Sequence, residues 1–212
     1  MDDAGWIPLF PLKTVLFPGG VLPLRVFETR YVDMVRACMK SNAPFGVVAI
    51  RSGAEVGAAA APHVVGTLAH IVDWDMADLG VLLLNTRGGE RFRILDTRTL
   101  PNQLIEARTE AVPEGASSVA VHADGSDALS VCANVLRVVI DDLLQRVGAD
   151  ADDGFISPFP EPHRLDDAGW VANRWSEMLP IPLDEKQQLL ELPDPAARLQ
   201  KVAQYLQENG VI

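Results

Sequence analysis

A chain of 212 residues, 48% of them hydrophobic, can bury roughly 70% of its unfolded surface, so one large domain or two small ones fold without covalent staples. Its formal net charge of -11 sits almost wholly in the second half: residues 1–112 carry 11 Lys and Arg against 12 Asp and Glu, residues 113–212 carry 7 against 17. That acidic balance disfavours nucleic acid, whose phosphates are held by clustered Lys and Arg, and no run approaches the ~18 apolar residues of a membrane span.

The opening MDDAGW is acidic and lacks the basic stretch of an export signal, so the reading is cytoplasmic. Next comes IPLFPLKTVLFPGGVLPLRV, in which Pro8, Pro11, Pro18 and Pro23 confine IPLF and VLPLRV to edge or interrupted strands, because proline donates nothing to a ladder. Gly19 and Gly20 supply the turn between them. Tyr31, Met34, Val35, Cys38 and Met39 then recur at helical spacing, with Glu28 at the start and Pro44 as the stop. Strands are predicted at Phe45–Ile50, Gly66–Trp74, Val81–Thr86, Glu90–Leu95 and Leu104–Val112. The small-residue stretch GAEVGAAAAP after Ser52 reads as a mobile loop. Gly88 and Gly89 predict a tight hairpin turn, with Phe92 and Ile94 on one face of the following strand and Arg91 and Arg93 on the other.

Residues 113–126, polar and placed where the charge balance changes, are predicted to link a β-rich subdomain (1–112) to a helical one (127–212). Leu129, Cys132, Ala133, Leu136, Val139, Ile140, Leu143, Leu144 and Val147 trace an apolar face ending at Gly148. Asp150–Pro162 reads as a loop in which Phe155 and Phe159 pin the chain to the bundle or offer a patch to a partner. Asp166–Leu179 is a helix stopped by Pro180. Asp184 opens another, with Gln187 placed as in a capping box, and Asp194-Pro195 opens the last, closed by Gly210.

Little here resembles catalytic chemistry. His63, His70, His122 and His163 fall at no metal-ligand spacing, and Cys38 and Cys132 lie on apolar stripes where a thiol is structural, free of disulfide and not nucleophilic. There is no G-x-S-x-G turn and no G-x-x-x-x-G-K-[ST] phosphate loop. The candidate binding residues are Glu28, Arg30 and Tyr31 at the strand-to-helix junction, Trp74 among Asp73, Asp75 and Asp78, and Arg87 and Arg91 on the arginine-bearing strands. Each has a structural counterpart: Glu28 offsetting the helix dipole, Arg30 pairing with a carboxylate, Phe27 and Tyr31 filling core, Trp74 rimming it. The arginines, with Arg93, Arg98 and Arg108, read as a solvated strand face diluted by Glu90, Asp96 and Glu106.

The stretch LFPLKTVLFPGGVLPLRVFETRYVDMV resembles the N-terminal domain of the Lon protease family, also found at the start of cereblon. Pro11-Leu12, Leu16–Gly19, Leu22–Leu24, Phe27-Glu28 and Arg30-Tyr31 meet the family pattern, and FGVV (Phe45–Val48), GTLAHI (Gly66–Ile71), GERFRI (Gly89–Ile94) and the run Trp175–Leu199 follow in its order. The resemblance implies an α+β fold: a PUA-like β pseudobarrel with one packed helix, then a small helical bundle. It implies a non-catalytic, ATP-independent module that engages a protein or unstructured polypeptide, as substrate-recognition or adaptor component of proteolysis, with no cofactor and no metal. Two alternatives from other classes stand beside it: a small hydrolase with a site between the subdomains, and a PUA-like RNA binder. Self-association is left open.

Overall fold

The structure, a computed structural model, describes residues 5–78, 80–115, 128–150 and 157–212. In chain order the elements are β1 (Trp6–Leu12), β2 (Val21–Val26), α1 (Thr29–Ser41), β3 (Phe45–Ser52), β4 (Ala61–Asp78), β5 (Val81–Thr99), β6 (Ile105–Val112), α2 (Ala128–Asp150), α3 (Ala168–Met178), α4 (Leu183–Glu191) and α5 (Pro195–Glu208). They form two compact units, Met1–Pro113 with Ile181–Glu191, and Glu114–Pro180 with Leu192–Ile212. The fold is α+β.

In the first unit the strands make one mixed sheet ordered β2-β5-β4-β3-β1-β6, and β6 also pairs β5. The sheet therefore curls into a pseudobarrel, while β2, bonded to β5 alone, keeps it from being a closed barrel. The prolines of β1 are accommodated by splitting its ladders. Trp6–Leu9 pair antiparallel with β6 and Leu9–Leu12 pair parallel with β3, so Pro8 and Pro11 each have a ladder on one side only. Thus β1 is an interrupted strand in mid-sheet, and β2 is the edge.

Helix α1 plugs the concave side. Its Tyr31, Met34, Val35 and Cys38 are buried against Phe10, Phe45, Val47, Leu82 and Leu84, and the Tyr31 ring stacks on Phe10 at 4.2 Å. Asn42, in the left-handed conformation, ends the helix with its amide on the Met39 carbonyl. A second cluster, Leu9, Val48, Phe92, Ile105 and Ala107, fills the other end.

The hairpin predicted at Gly88-Gly89 is not there. The chain reverses instead between β4 and β5, where Gly80 has φ +86°, and β5 runs unbroken through both glycines. The glycines are needed for close approach. A Cβ on Gly88 would stand 2.3 Å from the Phe17 carbonyl oxygen, and one on Gly89 would stand 2.6 Å from His70 Nε2. Here too the β4–β5 register shifts, and β5 passes from β2 (Leu82–Arg87) to β6 (Arg91–Thr99). Gly88 also exchanges bonds with the β1–β2 turn: Gly19 N–H donates to Gly88 O and Gly88 N–H to Gly20 O, both at 2.8 Å.

Arg91 is also differently placed. Far from facing solvent, it is 2% exposed beside the buried Phe92, so this stretch of β5 is covered on both faces. Its guanidinium donates to the Leu190 carbonyl at 2.7 Å and to the Pro113 carbonyl at 3.4 Å. Leu190 lies in the last turn of α4, whose carbonyls lack intrahelical partners and carry the negative end of the helix dipole. Gln187 serves the same docking: its amide nitrogen donates to Val65 O at 3.0 Å instead of forming a capping box. The sequence assigned α4 to the helical half; in the structure residues 181–191 group with the sheet.

The second unit is helical. Asp167 caps α3 through the amides of Gly169 and Trp170, and Asp194 caps α5 through Ala196, with Pro195 in the first turn. Cys132, Leu136 and Ile140 of α2, Trp170, Val171 and Trp175 of α3, and Leu199, Val202 and Leu206 of α5 are buried. Trp175 Nε1 donates to Cys132 O at 3.1 Å, and Arg198, fully buried, is met by Asn173, Glu114 and Leu192 O. Helix α2 continues past Gly148 to Asp150, and Phe159 is buried as a loop pin. Phe155, His122 and residues 116–126 of the predicted linker lie outside the described residues.

Gly88→Ala is expected to cost about 3 kcal/mol, because a backbone oxygen cannot yield as a side chain does. Gly19→Ala, at φ +76° with open space around it, should cost about 1–2 kcal/mol, and Gly19→Asn less, since Asn tolerates that conformation. Urea unfolding of the three variants measures this; equal, small losses would show that the β1–β2 turn moves freely against β5.

Candidate functional site

Strands β4 and β5 carry the most conspicuous apolar surface of the first unit. Val72, Trp74 and Met76 are 60%, 48% and 50% exposed, and Leu83, paired with Asp75 on the opposite face from Trp74, is 40% exposed. Trp74 and Met76 pair with the buried Leu84 and Leu82, so they lie on the core side of the sheet at a point where β4 has run past β3 while β5 is still paired with β2. Asp73 and Asp75, exposed, alternate with them, and Val72, at a register shift, has no partner on β5. Phe27, 56% exposed, follows the last residue of β2, itself paired with Leu82. The expectation that Phe27 fills core therefore fails: the chain leaves the sheet there and turns into α1.

Alongside β4 lies a groove of about 340 Å³. One wall is the last turn of α1 with Asn42 and Ala43; the other is His70–Trp74. It exists because β3 pairs with β4 only as far as Phe45↔Ala69, and beyond that register the same edge of β4 meets no strand among the described residues.

The Glu28, Arg30 and Tyr31 group is assembled for a different purpose. Arg30, 7% exposed, pairs with Glu28 at 2.9 Å, donates to Gln103 O at 3.0 Å and lies 4.6 Å over the Tyr31 ring. Burial pushes the Tyr31 phenol up; the Arg30 charge pulls against this and Glu28 adds to it. The geometry ties α1 to the loop before β6. A second cavity of about 480 Å³ opens beside these residues.

The predicted arginine face is broken up. Arg91 points inward, Arg93 pairs with Glu110 at 3.6 Å, and Arg98 pairs with Glu106 at 2.6 Å and covers the Trp6 ring. Arg87 and Arg108 are exposed. The histidines are scattered as well: His63 stands 3.7 Å from Asp184, His163 against Phe159 O, and His70 is exposed. Among the described residues no three His, Cys, Asp or Glu converge as a metal site would require, and no helix is long and apolar enough to cross a membrane.

Sequence reasoning found Trp74 but passed over Val72, Met76 and Leu83. For Val72 and Met76 the signal was present as the alternation in HIVDWDMAD, which sets apolar residues two apart with aspartates between; it was read as a strand end, not as a strand outrunning its neighbour.

The fold is a mixed sheet curled around one helix, with a separate helical unit and exposed apolar residues on the β4–β5 hairpin. The chain belongs to the family described as the ATP-dependent protease La (LON) substrate-binding domain, which matches residues 6–208. It is 29% identical over 209 residues to Lon protease 2 of Myxococcus xanthus, covering 97% of this chain and 24% of that protease. It is 31% identical over 117 residues to protein cereblon of Xenopus tropicalis, covering 53% of this chain and 25% of cereblon. The crystal structure of a Lon N-terminal domain protein from Xanthomonas campestris superposes with a TM-score of 0.67 at 31% identity, over 93% of this chain and 96% of that one. The chain thus spans about a quarter of the length of the curated relatives it matches.

Both cysteines are free and buried, and burial raises both thiols, Cys132 from 9.0 to about 11. Since a thiol held neutral in the fold ionises earlier in the unfolded chain, stability should fall as pH rises from about 9 towards 11, and part of that slope should vanish in Cys132→Ala. Urea midpoints across that range measure it. Iodoacetamide at pH 8 should label neither thiol until the protein is unfolded; rapid labelling of the native protein would contradict the burial.

Proposed function

We propose that this chain is a non-catalytic, ATP-independent module that holds other polypeptides, engaging extended or non-native segments at the apolar face of the β4–β5 hairpin. The observation that carries this reading is Trp74, half-exposed and flanked by Val72 and Met76 on a strand that leaves the core. A large aromatic with an apolar surround is the type of residue that dominates binding energy when a partner covers it. The family's description as a substrate-binding domain and the Lon proteases among the relatives support a protein as the ligand. A role as recognition or adaptor component of proteolysis, in the cytoplasm, is part of the same proposal. Protein is favoured over nucleic acid because Arg93 and Arg98 are paired with glutamates and Arg91 is turned inward, which breaks up the arginine strip and leaves Arg87 and Arg108 as its exposed members. The buried, un-ionised thiols give a hydrolase no cysteine nucleophile.

The test is fluorescence anisotropy of a labelled protein kept unfolded by reduction and carboxymethylation, titrated with this chain, with a gel of the same samples. Saturable binding of intact substrate is expected. Trp74→Ser should weaken it about 30-fold, the loss of about 2 kcal/mol typical of a central aromatic, while leaving the urea midpoint within about 0.5 kcal/mol, as for a surface change. Unaltered affinity in that variant would move the site elsewhere, and fragments on the gel would overturn the non-catalytic reading.

A further inference from the structure

We infer that the groove beside β4 takes its ligand as an added β-strand, one that bonds through its backbone to the unpaired edge at His70–Trp74 and alternates apolar with basic side chains. The inference rests on the binding role proposed above and says how the site would select.

The edge itself makes the first argument. β4 continues for nine residues past Ala69, its last partner in the β3 ladder before the chain leaves β3, and over that length β5 is its only strand neighbour among the described residues. On either side of the bulge at Val72, every second residue of such a strand turns its N–H and C=O towards the open side, where water satisfies them. An apolar body pressed against Trp74 and Met39 would expel that water. Without replacement bonds the stranded backbone groups would cost more than the apolar contact returns, so the occupant that fits is one that brings its own N–H and C=O in strand register.

Side chains make the second. A strand laid beside β4 presents alternate residues to the two faces of the sheet. On one face they meet Trp74 and the end of α1; on the other they meet Asp73, with Asp75 just past the end of the groove, and no Lys or Arg lines the groove. Apolar residues suit the first face and Lys or Arg the second. The groove accommodates about five residues at 3.3 Å each, the length of His70–Trp74. Further along, Asp75 Oδ1 already accepts the Met76 amide at 2.7 Å, which ends the receptive stretch. The free edge of β2 is only 6 residues long and carries Pro23, so it is the poorer template.

The experiment uses a labelled peptide of about nine residues alternating Val and Lys, and two versions N-methylated at the Val amides or at the Lys amides. Only one set of amides can face β4, whichever direction the strand runs. One methylated peptide should lose affinity about 30-fold or more while the other stays within about 3-fold of the parent, and hydrogen exchange at residues 70–76 should slow on binding the parent. Equal binding, or equal loss, by the two methylated peptides overturns strand addition. If the parent peptide fails to bind while the carboxymethylated protein still does, strand addition falls and apolar capture at Trp74 stands; if neither binds, both readings fall.

Discussion

The disparity in strand lengths governs the first unit. β4 and β5 run 18 and 19 residues, while the other strands run 6 to 8, so the hairpin must outrun its neighbours somewhere. At one end β5 exchanges β2 for β6 and closes the sheet into a pseudobarrel around α1. At the other end β4 continues past β3, and apolar residues that the alternation assigns to the core side stand in the open. The closed core and the exposed apolar surface are therefore two consequences of one geometric fact, a long bent hairpin in a sheet of short strands.

Bending β5 places demands on its middle. Gly88 and Gly89 let the Phe17 carbonyl and the His70 ring approach to distances no side chain permits, and the β1–β2 turn is bonded to that point on both sides. Three residues on, Arg91 is buried by α4 and is satisfied by carbonyls, one of them at the end of that helix. A buried guanidinium is tolerated only where such acceptors converge, and removing them would leave a charge without solvent. Arg91 thus belongs to the scaffold that holds the hairpin, and its presence beside Arg87 in the sequence says nothing of a shared surface.

The pattern of charge bears on what the module would hold. Both aspartates flanking Trp74 face away from the tryptophan's side, so the apolar surface is not itself acidic while its border is. Such a border favours basic partners at long range and leaves the contact itself to apolar burial and backbone bonding, a division suited to recognising many sequences by a common form instead of one sequence by its details.

The linear sequence was enough for the class of fold, the α1 helix with its buried face, the α5 start at Asp194-Pro195, the burial of both thiols, and the family, because those depend on local periodicity and on a motif that survives without neighbours. It also contained Trp74 and the alternation around it. Tertiary structure alone decided that Gly88-Gly89 is a bend within a strand and not a turn, that Arg91 is buried while Phe27 is exposed, that α4 joins the sheet, and that β4 has an open edge. The physical reason is common to all four. Each depends on where a partner strand or helix stops, and a residue's own neighbours in the chain have the same propensities whether that partner is beside it or has already turned away.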